Sequence, residues 1–144
     1  MAPAAVLLAL CAGCSSSSSG QILCAPCPSP ATVSVTGVDR LIGDGRHMRV
    51  CVGDQPCTDL RVPPSDATTA PPSCGTLSCS LNGSGTLQIT LNERDAHSLA
   101  EQPVRVTASK KGGRDVLRGS GTMRFTDDKG PCACDHAHAD VALG

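Results

Sequence analysis

Ten cysteines and a single aromatic residue constrain this chain more than anything else in its 144 residues. Phe125 stands alone, with no Trp and no Tyr. Aromatic side chains bury the largest areas in most cores, so this core must rest on Val, Leu and Ile. Cross-links at about 2–4 kcal/mol each then matter more than usual. Cysteine at this density belongs to an oxidising compartment or to metal sites. The missing aromatics also exclude base-stacking platforms and aromatic cages as binding modes. A formal net charge of −1 argues against a general nucleic-acid binder, which needs a basic surface to displace counterions. No nucleic acid is expected as a partner.

Two of the cysteines belong to the leader. Residues 1–13 contain the apolar run Ala5–Val6–Leu7–Leu8–Ala9–Leu10 and end in Ala12–Gly13. That run is too short to span a bilayer and suits the hydrophobic segment of a cleaved export signal. Cys14 follows, then a run of serines from Ser15 to Ser19. This stretch resembles a bacterial lipobox, with Cys11 in the place usually held by Leu. The resemblance implies cleavage before Cys14, a lipid anchor there with diacylglycerol on the thiol and palmitate as the fatty acid, and a flexible tether over residues 14–23. The alternative is a secreted protein without lipid.

Beyond residue 24 the chain alternates apolar and polar residues with a period of two, the mark of half-buried strands. Val33 and Val35 lie among Thr32, Ser34 and Thr36; Met48, Val50 and Val52 alternate with Arg49 and Cys51. Leu60 and Val62, then Leu87, Ile89 and Leu91, then Val104, Val106 and Ala108 repeat the pattern. One strand is expected from Val116 through Phe125, with a bulge at Gly119 and Gly121. A last strand is expected from Ala133 to Leu143. Asn92–Ala100 reads as a short helical turn, and Pro63 to Pro72 as a crossover loop. The expected fold is an all-β, disulfide-stapled β-sandwich of about seven strands over residues 24–144, immunoglobulin-like by pattern.

Strand parity helps to pair the remaining eight cysteines. With Met48, Val50 and Val52 inward, Cys51 points outward; with Thr58, Leu60 and Val62 inward, so does Cys57. Both lie at the mouth of one hairpin, within disulfide reach. Cys74 and Cys79 flank a Gly-containing loop and can close it. An i, i+2 bridge is strained, so Cys132 and Cys134 are expected to pair with Cys24 and Cys27. That stapling joins the first segment to the last strand.

Three constellations carry possible chemistry. Cys24–Ala25–Pro26–Cys27 resembles the thioredoxin-type redox motif, but the prolines and strand that follow forbid the helix that would activate its first thiol. In the last strand, Cys132, Cys134, His136, His138 and Asp140 share the outer face. His136 and His138 at i, i+2, with Asp140 as a third ligand, could hold Zn²⁺ or Cu²⁺. From Pro103 to Phe125 six cations stand against Asp115 alone: Arg105, Lys110, Lys111, Arg114, Arg118 and Arg124. Parity puts Arg118 and Arg124 together on the face opposite Leu117 and Phe125. Such a hairpin could touch anionic headgroups or wall polymers, or serve solubility and edge protection. No nucleophile elbow occurs, and His47 and His97 are isolated.

The lipobox-like Cys14, the serine tether and the Ala/Gly/Val/Arg bias resemble small cysteine-rich lipoproteins of high-GC Gram-positive bacteria. The resemblance implies a lipid anchor on the extracytoplasmic side of the cell membrane. The expected function is a non-enzymatic structural or interaction module without a cofactor, whose partner is an envelope protein or polymer. Metal binding through His136, His138 and Asp140 is the alternative.

Overall fold

The computed structural model describes residues 20, 22–27, 30–41, 46–62, 72–93, 95–109 and 116–144. The expected leader, Cys14, most of the proline-rich crossover and Lys110, Lys111 and Arg114 lie outside these residues.

The alternating segments are strands, and they form two sheets around one core. In chain order they are β1 (Ala31–Thr36), β2 (Arg46–Val52), β3 (Thr58–Val62), β4 (Ser78–Leu81), β5 (Leu87–Thr90), β6 (Pro103–Ser109), β7 (Val116–Thr122), β8 (Arg124–Thr126) and β9 (His136–Ala142). The five-stranded sheet has the order β4-β5-β1-β9-β8, and the four-stranded sheet β3-β2-β6-β7. The first and last strands lie side by side and parallel, in register from Ala31 opposite Ala137 to Thr36 opposite Ala142. All other strand pairs are antiparallel.

Inward positions follow the parity of the sequence. Val33, Val35, Leu87, Ile89, Ala137, Ala139 and Val141 line one layer; Met48, Val50, Leu60, Val62, Val104, Val106 and Ala108 line the other. All are buried. Small residues dominate β9, which lets the sheets approach closely where an aromatic core would hold them apart. The helical turn is a single 3₁₀ turn, Ala96–Leu99, in which Asp95 accepts a hydrogen bond from the His97 backbone N–H at 3.0 Å and Leu99 is buried.

Four expectations are corrected, the first being the count: nine strands stand among the described residues where about seven were expected, β4 and β8 being the additions. The segment from Val116 to Phe125 is two strands in different sheets, with buried Met123 as the pivot between them. Gly119 and Gly121 make no bulge: the β6–β7 register runs unbroken from Pro103 opposite Thr122 to Ser109 opposite Val116. They mark a close approach instead. A Cβ on Gly119 would lie 2.5 Å from the Ala142 carbonyl oxygen, and one on Gly121 would lie 2.6 Å from that of Asp140. Glycine therefore lets β7 of one sheet press against β9 of the other. The last strand begins at His136, because Ala133 is exposed.

All eight cysteines among the described residues are paired, as Cys24–Cys132, Cys27–Cys134, Cys51–Cys57 and Cys74–Cys79. The first two join the entry of β1 to the entry of β9 across sequence separations of 108 and 107. The other two close separations of 6 and 5.

Candidate functional site

The outward side chains of the four-stranded sheet fall into rows fixed by its register. With Met48 and Val50 buried, β2 turns His47, Arg49 and Cys51 outward; with Val104, Val106 and Ala108 buried, β6 turns out Arg105, Thr107 and Ser109. One row reads Asp59, Arg49, Thr107, Arg118 across all four strands. The next reads Arg61, His47, Ser109, Val116. On the other side, Arg105 stands between Cys51 and Ser120.

Arg49 and Asp59 form a fork-to-carboxylate pair, with Nε donating to Oδ1 at 2.8 Å and Nη2 to Oδ2 at 3.0 Å. These hydrogen bonds hold the Asp59 carboxyl below its usual range; the positive charges of Arg49 and His47 add to the effect, and desolvation opposes it. The same hydrogen bonds, and then the charge of Asp59, raise the Arg49 guanidinium. Arg61, Arg105 and Arg118 have no ion pair or side-chain hydrogen bond among the described residues. The face thus carries four arginines against one aspartate, a charge of +3, and the rest of a chain totalling −1 carries −4. An open depression of about 940 Å³ runs over it, lined by His47, Arg49, Arg61, Arg105, Val116 and Arg118 among others.

This site overlaps only in part with the six cations expected on one hairpin. Arg105 and Arg118 belong to it. Arg124 does not: past the Met123 pivot it sits in the other sheet, opposite His138. Arg49 and Arg61 are the members that a reading confined to residues 103–125 misses. Their outward parity in β2 and β3 is the signal that finds them.

The outer face of the five-stranded sheet is built differently, from hydroxyls and amides such as Thr32, Ser34, Gln88 and Thr90. His136, His138 and Asp140 share this face, as parity requires, but they do not converge. His138 Nε2 lies 2.9 Å from Asp140 Oδ1, and its Nδ1 lies 3.0 Å from Thr32 Oγ1. His136 turns its Nδ1 to the Cys134 carbonyl oxygen at 3.3 Å. An ionised carboxylate only accepts, so Nε2 carries the proton and the Thr32 hydroxyl donates to Nδ1. Both nitrogens of His138 are engaged, and a metal would have to displace one partner. No group of three His, Cys, Asp or Glu residues suited to a metal occurs among the described residues.

A hydroxyl, an imidazole and a carboxylate in line is also the arrangement that activates a nucleophile. Here the hydroxyl stands near the start of β1, at a residue paired on both sides, with Thr90 of β5 and His138 of β9. The β1 N–H groups are held in those ladders, so they are not free to stabilise an oxyanion. The line acts as a clasp between β1 and β9.

Cys24 and Cys27 are bonded to the C-terminal segment rather than to each other, and a strand follows them. His47 lies on the arginine face. His97 meets Phe125 edge-on, with ring centroids 5.2 Å apart.

Comparison of the chain with protein families, with curated proteins and with solved structures finds no match.

Proposed function

We propose that this protein is a cell-envelope lipoprotein, anchored through Cys14 on the extracytoplasmic side of the membrane, that acts as a non-enzymatic interaction module. In this reading the domain is an immunoglobulin-like β-sandwich, and its working surface is the outer face of the four-stranded sheet. The observation that carries it is the unneutralised arginine face: Arg61, Arg105 and Arg118 stand outward without partners among the described residues, while the opposite face is hydroxyl-lined. Four disulfides suit an oxidising compartment outside the cytoplasm. Within the working sheet, Cys51–Cys57 ties β2 to β3 and the ladders hold β6 and β7, so the arginines stand in fixed register, which lowers the ordering cost of binding.

Expression of the full chain and of Cys14→Ser in a bacterial host tests the anchor. The parent protein should sediment with membranes and carry a lipid mass on Cys14. The variant should leave the membrane fraction with its disulfides intact. Membrane retention of Cys14→Ser would remove the anchor from this reading.

A further inference from the structure

The arginine face is more regular than a scatter of soluble charges. Arg61 is paired with His47 and Arg49 with Asp59, so these two arginines are diagonal neighbours across the β3–β2 ladder. Arg49 is paired with Thr107 and Arg105 with Cys51, which makes them diagonal neighbours across β2–β6. Arg105 is paired with Ser120 and Arg118 with Thr107, a third diagonal across β6–β7. Each step is about 7–8 Å between backbones, within reach of long side chains. The result is a bent track of four guanidinium groups crossing every strand of the sheet.

Edge protection does not account for this track. That role falls to charges on edge strands, often Lys, whereas Arg49 and Arg105 lie on the inner strands β2 and β6. Every cation of the track is an arginine. Like charges gathered on one face repel one another.

We propose that the track binds a linear polymer of repeating phosphate groups, laid in the depression over β3-β2-β6-β7. The inference rests on the interaction-module reading above and names its partner class. Guanidinium forks match both carboxylate and phosphate, and the sheet itself separates the two. Asp59 spends both of its oxygens on one arginine. A phosphate presents oxygens on several sides and so bridges two diagonal guanidinium groups. A repeating phosphate polymer meets the unpartnered guanidinium groups of Arg118, Arg105 and Arg61, and reaches Arg49 through Nη1, the nitrogen that Asp59 leaves unbonded. The surface carries no Phe, Tyr or Trp, so it offers no base-stacking platform of that kind, and it lacks the buried aromatic anchors typical of protein hot spots. Its concavity suits a chain better than the plane of a bilayer.

The test uses the full chain carrying Cys14→Ser, so that no lipid contributes and the outcome is independent of the anchor. Long-chain inorganic polyphosphate is the probe, with polyglutamate and phosphatidylglycerol vesicles as competing sources of negative charge. Polyphosphate should bind most tightly. The double variant Arg105→Gln/Arg118→Gln should lose roughly tenfold or more in affinity at low salt. Its slope of log K against log salt should shrink by about 1.4, the value for two lost contacts to a single-stranded polyanion. Arg124→Gln, on the opposite sheet, should change affinity less than about twofold, as expected for a charge outside the contact. Unchanged melting would show that the variants fold. Failure to bind polyphosphate, tighter binding to polyglutamate or vesicles, or an equal loss in Arg124→Gln would each overturn the proposal.

Discussion

The five-stranded sheet is bounded by three of the four disulfides and contains both the first and the last strand, whereas the four-stranded sheet has only the Cys51–Cys57 bridge and carries the arginine track. One layer is cross-linked and nearly neutral outside; the other is held by burial and bears clustered like charge. Repulsion between arginines works against folding. The burden is tolerable because the neighbouring layer, sharing the same core, is stapled at its ends. Stability and charge are thus placed on opposite sides of one thin core.

The disulfides offer the strongest way to break that contrast. In the chain-entropy view, a bridge closing a loop of 107 or 108 residues contributes about 5 kcal/mol. Once one long bridge exists, its neighbour closes only a small ring and adds about 2 kcal/mol. Replacing Cys27 and Cys134 by Ala should therefore cost about 2 kcal/mol, and replacing all four of Cys24, Cys27, Cys132 and Cys134 about 7 kcal/mol. Removing Cys51–Cys57 should cost about 2 kcal/mol. Urea unfolding of the oxidised proteins measures all three, and a larger loss from Cys51–Cys57 than from the four-cysteine variant would reverse the assignment of stability to the five-stranded layer.

A smaller effect is expected where the layers touch. Gly119→Ala puts a methyl against the Ala142 carbonyl and the Val141 side chain, and overpacking of this kind costs about 1–3 kcal/mol. Ser120→Ala, one residue away and outward, should be neutral in the same melts.

The mildest change sharpens the arginine face itself. Asp59→Asn removes its single acid and frees Arg49, so polyphosphate affinity should rise several-fold, with a salt slope steeper by about 0.7. The paired Asp59 carboxyl titrates below its usual range. The stabilisation from that pair is therefore complete above about pH 4 and is lost as pH falls through the lowered value. Melting curves of the parent and Asp59→Asn should converge in acid. The pair is well exposed, so the separation at neutral pH should be small.

Much of this was legible because a strand's parity is local. The inward sets of β1, β2, β5 and β6 and the outward placement of Cys51 follow from a period of two, and the stapling of both termini follows from the strain of an i, i+2 bridge once the local pairs are made. What escaped was relational. Alternation continues through Leu117, Gly119, Gly121, Met123 and Phe125, so nothing in the period announces that the chain changes sheets at Met123. Gly119 and Gly121 read as bulge residues within one strand, whereas their cause is β9 in the other sheet. β4 offers little apolar signal in Ser–Cys–Ser–Leu. The Asn82–Gly83 dipeptide betrays it, since the Asn82 Oδ1 accepts from the Ser84 and Thr86 backbone N–H groups at 3.2 and 2.9 Å and shapes the β4–β5 turn. His136 and His138 share a face as expected, but Thr32, distant in sequence, decides what His138 does there. The arginine track needs the register of four strands, which no single segment reveals.

The parallel pairing of β1 with β9 also sets a clock. As the chain emerges from the ribosome or crosses a membrane, β1 has β5 as its neighbour early but must wait for residues 136–142 before its other side is covered. The short Cys51–Cys57 and Cys74–Cys79 loops are complete long before that moment, while Cys24 and Cys27 meet their partners only after the final tenth of the chain arrives. Closure waits on residues 132–142, and until they arrive a nascent chain carries β1 with an open seam that only β9 seals.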